Sequence, residues 1–271
     1  MPHIGHAQNI TIYSKPDSLI YERYIARFEK QKKETLGELL INSAKFFIGK
    51  PYVASTLEGS DNETLTINLR ELDCTTFIEN CVVLSLVIKS GDHSFDNYRE
   101  TLRNTRYRNG VVDGYASRLH YTSDWIYENA KRGILKNISK EIGGKTVRHP
   151  LSFMSEYSLS YKHLKNNPSE IKKIKDIEAI INGRNNYEII PVSSITANEK
   201  NIKDGDIIAF ATSISGLDYS HVGMAYRQNG ELHFIHASSS QKQVVIEKKT
   251  LSDYCKSSKN CTGISILRIN K

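Results

Sequence analysis

The sequence predicts an α+β fold, and three observations carry that reading. Apolar residues recur at helical spacing through the first two thirds of the chain. The last third changes to short β-rich runs with turn residues between them, the pattern of an antiparallel meander. Between the two lies Thr75–Lys89, apolar nearly all round, which predicts a helix that must be buried.

In chain order, "LIYERYIARF" and "LGELLINSAKFFIG" predict two helices between Ser18 and Ile48, closed by Gly49 and Pro51. Tyr52–Leu72 reads as a loop or short strand. The buried helix follows, with Asp73 as its N-cap, Cys74 as its first residue and Gly91 as its stop. Further helices are expected over Tyr98–Arg106, Ser123–Ala130 and the highly charged Lys162–Ile181. "GDIIAFAT", "HVGMAYRQNGELHFIHAS", "QVVIEK" and "GISILRI" read as strands, and "RQNG" supplies a hairpin turn. The whole is expected as one domain, residues 1–271, with N-terminal helices over 1–48 and a helical and loop insertion over about 92–190.

The chain has 271 residues, enough for a sizeable core, with 39% apolar and 25% charged residues. No run approaches the ~18 apolar residues of a membrane helix. The net charge of +7 is spread along mixed segments such as "EIKKIK", which read as solvated helix faces with a weak bias towards an anionic partner such as an envelope polymer. No recognised nucleic-acid motif occurs, so nucleic acid is not an expected partner. "GHAQ" near the N-terminus suits the tail of a removed export signal. A periplasmic or envelope location is expected on that hint, with a cytoplasmic one left open, and the chain is expected to be a monomer.

Four cysteines are too few for a disulfide scaffold. Cys74, at a helix start, sits where unpaired N–H groups and the helix dipole favour an anion, which predicts a lowered thiol pKa and a nucleophilic thiolate. Cys81, two turns further in, reads as an inert small hydrophobe. On local context alone a packed thiol at Cys74 explains the residue equally well. Cys255 and Cys261 read as a small-loop disulfide or as two free thiols.

A thiolate needs a base and an orienting group. His221 and His236 lie on strands joined by the predicted hairpin. Gly223 and Ala225 share a face with His221 and are expected to leave room for the cysteine helix. A half-buried structural histidine is the rival reading of each. "HFIH" in a strand sends His233 and His236 to opposite faces, and no familiar zinc spacing surrounds them, so neither metal nor organic cofactor is expected. The segment "GYASRLHYTSDWIYEN" gathers Tyr115, Arg118, His120, Tyr121 and Asp124 around the single tryptophan. Such a mix suits a polar ligand with flat faces, and a surface loop anchored by Trp125 is the plainer alternative.

"GKPYVASTLEGS", "LDCTTF", "SHVGMAY" and "LHFIHAS" together resemble the NlpC-type branch of papain-like cysteine peptidases. "YASRLHYTSDWIYENAKRGIL" and "GGKTVRHPLSFMSEY" narrow the resemblance to the N-acetylmuramoyl-L-alanine amidase-like family of envelope proteins, over roughly Leu36 to Arg268. That resemblance implies a papain-like fold with Cys74 as nucleophile, His221 as base and His236 as orienting residue. It puts Tyr52 beside the nucleophile, and Tyr52 and Asp73 are expected among the substrate-binding residues. It implies cleavage of the amide between N-acetylmuramic acid and L-alanine in peptidoglycan fragments (muropeptides), with recycling as the setting. "DCTTF" in place of "DCSG" and "PYVAST" without paired glycines depart from the branch's pattern. A stem-peptide endopeptidase of the same mechanism and a non-catalytic wall-binding module are the alternatives.

Overall fold

The computed structural model describes residues 11–184 and 187–270. The "GHAQ" stretch, read as the tail of an export signal, lies outside them. A two-residue strand β1 (Thr11–Ile12) leads into helices α1 (Lys15–Phe28) and α2 (Leu36–Phe46). Both helices open on a capping box, Ser14 with Asp17 and Thr35 with Glu38, in which side chains take up backbone donors that a helix start leaves free. Strand β2 (Leu65–Thr66) runs parallel to β1.

Helix α3 (Cys74–Ser90) is the buried helix that the sequence predicts. Asp73 caps it: its carboxylate accepts the Thr76 N–H at 2.8 Å, and its own N–H donates to Thr76 Oγ1 at 2.9 Å. Phe77, Ile78, Val82, Val83, Leu84, Val87 and Ile88 are all buried. Each such side chain contributes about 1.5–3 kcal/mol by leaving water. The polar groups that go in with them are matched. Glu79 pairs with Arg106 at 2.8 Å, Asn80 accepts from the Tyr98 hydroxyl at 2.5 Å, and the Ser85 and Ser43 hydroxyls meet at 3.0 Å. Those partners come from α2 and from α4 (Phe95–Arg106), which flank α3.

Then follow α5 (Thr122–Lys131), β3 (Leu135–Asn137), β4 (Lys145–Val147), the single turn α6 (Phe153–Glu156), α7 (Pro168–Arg184), β5 (Tyr187–Pro191) and the short α8 (Ile195–Asn198). The charged helix α7 begins at Pro168, six residues later than expected, because proline suits a first helical position and stops a helix running through it from Lys162. The C-terminal part supplies β6 (Ile207–Thr212), β7 (Tyr219–Gln228), β8 (Glu231–Ser238), β9 (Gln243–Ile246), α9 (Leu251–Ser257) and β10 (Cys261–Ile269).

These strands form an antiparallel sheet in the order β4-β5-β10-β6-β7-β8-β9, with β3 also on β10. The fold is therefore mixed α+β, an antiparallel sheet covered by helices. The turn between β7 and β8 holds Asn229 and Gly230 at φ +53° and +87°, as a two-residue hairpin of this hand requires. One face of the sheet, with Ile207, Ala209, Val222, Met224, Ile235 and Ala237, packs on α3. The other, with Ile208, Phe210, Ala225 and Phe234, packs on Leu251 and Cys255 of α9. No helix among the described residues is long and apolar enough to cross a membrane.

One expectation is corrected here. Gly223 and Ala225 do not make room for α3, which lies on the opposite face. The space over Gly223 is taken by Phe234 and His236: a Cβ at Gly223 would stand 2.8 Å from Phe234 Cδ2 and 3.4 Å from His236 Cβ. The small residues admit a neighbouring strand's side chains, not a helix.

Candidate active site

Two irregularities in the sheet build the site. At the start of β7 the pairing with β6 slips, from Phe210↔His221 to Ala211↔Tyr219, so Ser220 is an extra residue. Such a bulge re-aims the side chain beside it. Here it leaves Tyr219 on the α3 face while His221 turns to the other, against the Phe210 ring at 5.5 Å. Secondly, the β7–β8 ladder runs only from Gln228↔Glu231 to Met224↔Ile235. Beyond it the two strands no longer pair, and the Val222 N–H is turned to the Cys74 sulfur.

Cys74 thus packs against β7 at Val222, the residue after His221. The Thr75 N–H and hydroxyl face the same sulfur. These three donors pull the thiol pKa down, as a helix start should. Burial outweighs them, helped by the Asp73 carboxylate beside it, and the thiol is pushed up to about 11. The expected lowered pKa is therefore corrected: burial outweighs the helix's benefit, and the charge of the capping Asp73 adds to it. Cys74 keeps some exposure, whereas Cys81 is fully buried and its thiol is held well above the ordinary range by burial. Cys255 and Cys261 are free thiols whose side chains touch.

Across the end of β7 the Nε2 of His221 lies 2.7 Å from Nδ1 of His236. His236 is buried, and its ring is also packed by Phe234 and Tyr254. Burial pushes both imidazoles down, His221 to about 3 with help from its neighbour's charge, and His236 to about 4 against the pull of Glu247. Both rings are neutral at pH 7. His233 turns away and bonds the Glu247 and Lys249 carbonyls through Nδ1.

Tyr52 is held by its N–H to the Lys242 carbonyl at 2.9 Å and by a bridge to Leu72, two residues before Cys74. Burial and the nearby Cys74 and Asp73 raise its phenol pKa, so the hydroxyl remains a donor at neutral pH.

The tyrosine-rich loop divides. His120 reaches a narrow cleft whose lining includes Thr75, Thr122, Trp125 and Val222, the immediate neighbours of Cys74 and His221 among them. Its Nε2 meets the Tyr115 carbonyl at 2.8 Å, and burial drives its pKa well down. The other members are engaged within the protein. Arg118 is 2.5 Å from Glu58 and 3.4 Å from Glu63, under the Tyr115 ring. The Tyr121 hydroxyl donates to Glu178 and accepts the Met154 N–H. Asp124 is clasped by Arg108 and Arg184. Tyr115 stacks on His163, from a segment that the sequence reading did not connect with this loop. Glu247 and Thr75 were also missed. The only signal for Glu247 is an acid closing the "QVVIEK" strand, which pairs with the strand of His236.

A family model described as AmiA-like, N-acetylmuramoyl-L-alanine amidase-like, matches residues 42–264. The chain belongs to this AmiA-like family. Crystal structures agree. An N-acetylmuramoyl-L-alanine amidase from Bacteroides uniformis is 37% identical over 87% of this chain and 99% of its own, with a TM-score of 0.83. A Bacteroides fragilis protein, provisionally described as a xylanase, is 38% identical over 84% and 99%, with a TM-score of 0.81. A Legionella pneumophila protein shares the fold at 23% identity over 95% of both chains, with a TM-score of 0.73. No curated protein matches the chain.

Proposed function

We propose that this AmiA-like chain is a cysteine amidase of papain-like, NlpC-type design that cuts the amide between N-acetylmuramic acid and L-alanine in muropeptides. One observation carries the reading: the Cys74 sulfur meets the backbone of β7 at Val222, next to a His221–His236 pair 2.7 Å apart. The amidase name of the Bacteroides uniformis relative supports the choice of bond.

The chemistry follows from the protonation states. Thiol and imidazole both rest neutral, so the proton moves during attack and not before it. His221 Nε2 is engaged by His236, which leaves Nδ1 as the base. Nδ1 takes the Cys74 proton as sulfur bonds to the lactyl carbonyl carbon. The Cys74 N–H, at the helix start, and the Tyr52 hydroxyl are donors for the oxyanion. The C–N bond breaks, and the imidazolium gives its proton to the departing L-alanine nitrogen. A thioester to the muramoyl group remains. Water, deprotonated by His221, releases it and regenerates the thiol.

A glycosidase reading is poorly served. That chemistry needs two carboxyl groups flanking the bond. Asp73 caps α3 and Glu247 faces His236, so both nearby acids are engaged. An endopeptidase would use the same residues on another amide. Incubating a muropeptide and weighing the products separates them: the amidase gives an intact stem peptide and a free sugar acid, while a shortened stem peptide still attached to sugar would refute the bond assignment. An envelope location suits that substrate.

A further inference from the structure

We infer that Glu247 is a positioning residue of this site, which holds the buried His236 in one tautomer and so sets the direction of proton flow through His221. The inference rests on the amidase reading of Cys74 and His221. Glu247 follows β9 and continues its register, since its N–H donates to the Phe234 carbonyl at 2.9 Å. Phe234 and His236 alternate with Ile235 along β8, so Glu247 lies diagonally across from His236 on the same face. His221 lies diagonally on the other side. The three residues form a line across β7, β8 and the end of β9.

The distances fit a relay. His221 Nε2 to His236 Nδ1 is 2.7 Å, and His236 Nε2 to Glu247 Oε2 is 3.4 Å. Among the described residues His236 Nε2 is buried with no well-formed hydrogen bond, so the nearby carboxylate is its acceptor once the contact tightens, as such contacts do when substrate binds. A carboxylate only accepts. His236 must then carry its proton on Nε2, which makes its Nδ1 an acceptor. His221 must in turn donate from Nε2, which leaves His221 Nδ1 bare for the thiol. Without Glu247 the opposite arrangement becomes available: His236 Nδ1–H donating to a bare His221 Nε2, with a useless proton on His221 Nδ1. Tyr254, from α9, is the other titratable group on the His236 ring, at 6.1 Å between centroids, and it is a phenol whose pKa Glu247 helps to raise.

The test uses the full chain with Glu247→Gln and Glu247→Ala. Nitrogen-15 spectra of the histidines need no substrate. Wild type should show both His221 and His236 as Nε2–H tautomers, and Glu247→Ala should show a mixture. With muropeptide, kcat should fall roughly ten- to a hundredfold in both variants, with KM nearly unchanged. The acid limb of the pH profile should move to lower pH, because a carboxylate that favours the charged imidazole has gone. Unchanged tautomers together with unchanged kcat overturn the inference. If Cys74→Ala retained full activity, the amidase reading would fall instead, and the spectra would still decide the role of Glu247.

Discussion

His221 Nε2 and His236 Nδ1 stand 2.7 Å apart on diagonal positions of neighbouring strands, both rings neutral at pH 7. An unfolded histidine takes up a proton near pH 6.5. The folded rings resist it until about 4 and about 3. Below pH 6.5 the unfolded state therefore binds more protons, and stability falls with pH through that window, by at most about 1.4 kcal/mol per pH unit for each histidine. Urea midpoints from pH 7.5 to 4.5 should fall less steeply for His236→Gln than for wild type. Identical slopes would mean that the pair is not held neutral.

The raised thiol of Cys74 makes a kinetic prediction. With a pKa near 11, its alkylation by iodoacetamide should rise roughly tenfold per pH unit between pH 7 and 9. A rate already level at pH 7 would show a preformed thiolate–imidazolium pair and would remove the neutral resting state from the mechanism.

Cys81, fully buried within α3, serves as a control. Cys81→Ala should keep substantial activity and lose about 1 kcal/mol of stability, measured by denaturation. An inactive yet fully stable Cys81→Ala protein would reverse the assignment of the two cysteines.

Arg118 is predicted to act as a clamp. Its guanidinium lies between Glu58 and Glu63, and its removal takes a partner from each, leaving Glu58 with His163 and Glu63 with the Tyr107 hydroxyl. Arg118→Ala should cost about 1–3 kcal/mol of stability and slow hydrolysis equally on substrates with and without the sugar. Unchanged melting with a loss confined to the sugar-bearing substrate would restore the recognition role that the loop's composition suggests.

Much of this was legible in the sequence where the cause is local. The cap at Asp73, the start of α3 at Cys74 and the Asn229–Gly230 turn depend on adjacent residues. Strands β3, β4 and β5 were not, because runs as short as "LKN" and "KTV" carry no periodicity and exist only through pairing with β10 or one another. The side on which α3 packs was misjudged for the same reason: His221, Gly223 and Ala225 do share a face, but which face a distant helix covers is set by contacts that no local alternation records. The sign of the Cys74 shift escaped because it depends on burial, which outweighs the helix start. The ion pairs of Arg118 and Asp124 join segments up to 60 residues apart, beyond the reach of any motif.

The central claim is that Cys74 carries the muramoyl group during turnover. Acid-quenching the enzyme with a muropeptide in the first turnovers, followed by mass analysis of the Cys74-containing peptide, measures this directly. The account predicts an added mass equal to the sugar acyl group without L-alanine, absent from Cys74→Ala. An adduct that contains L-alanine and D-glutamate residues, or active enzyme with Cys74 unmodified and replaceable, would contradict it.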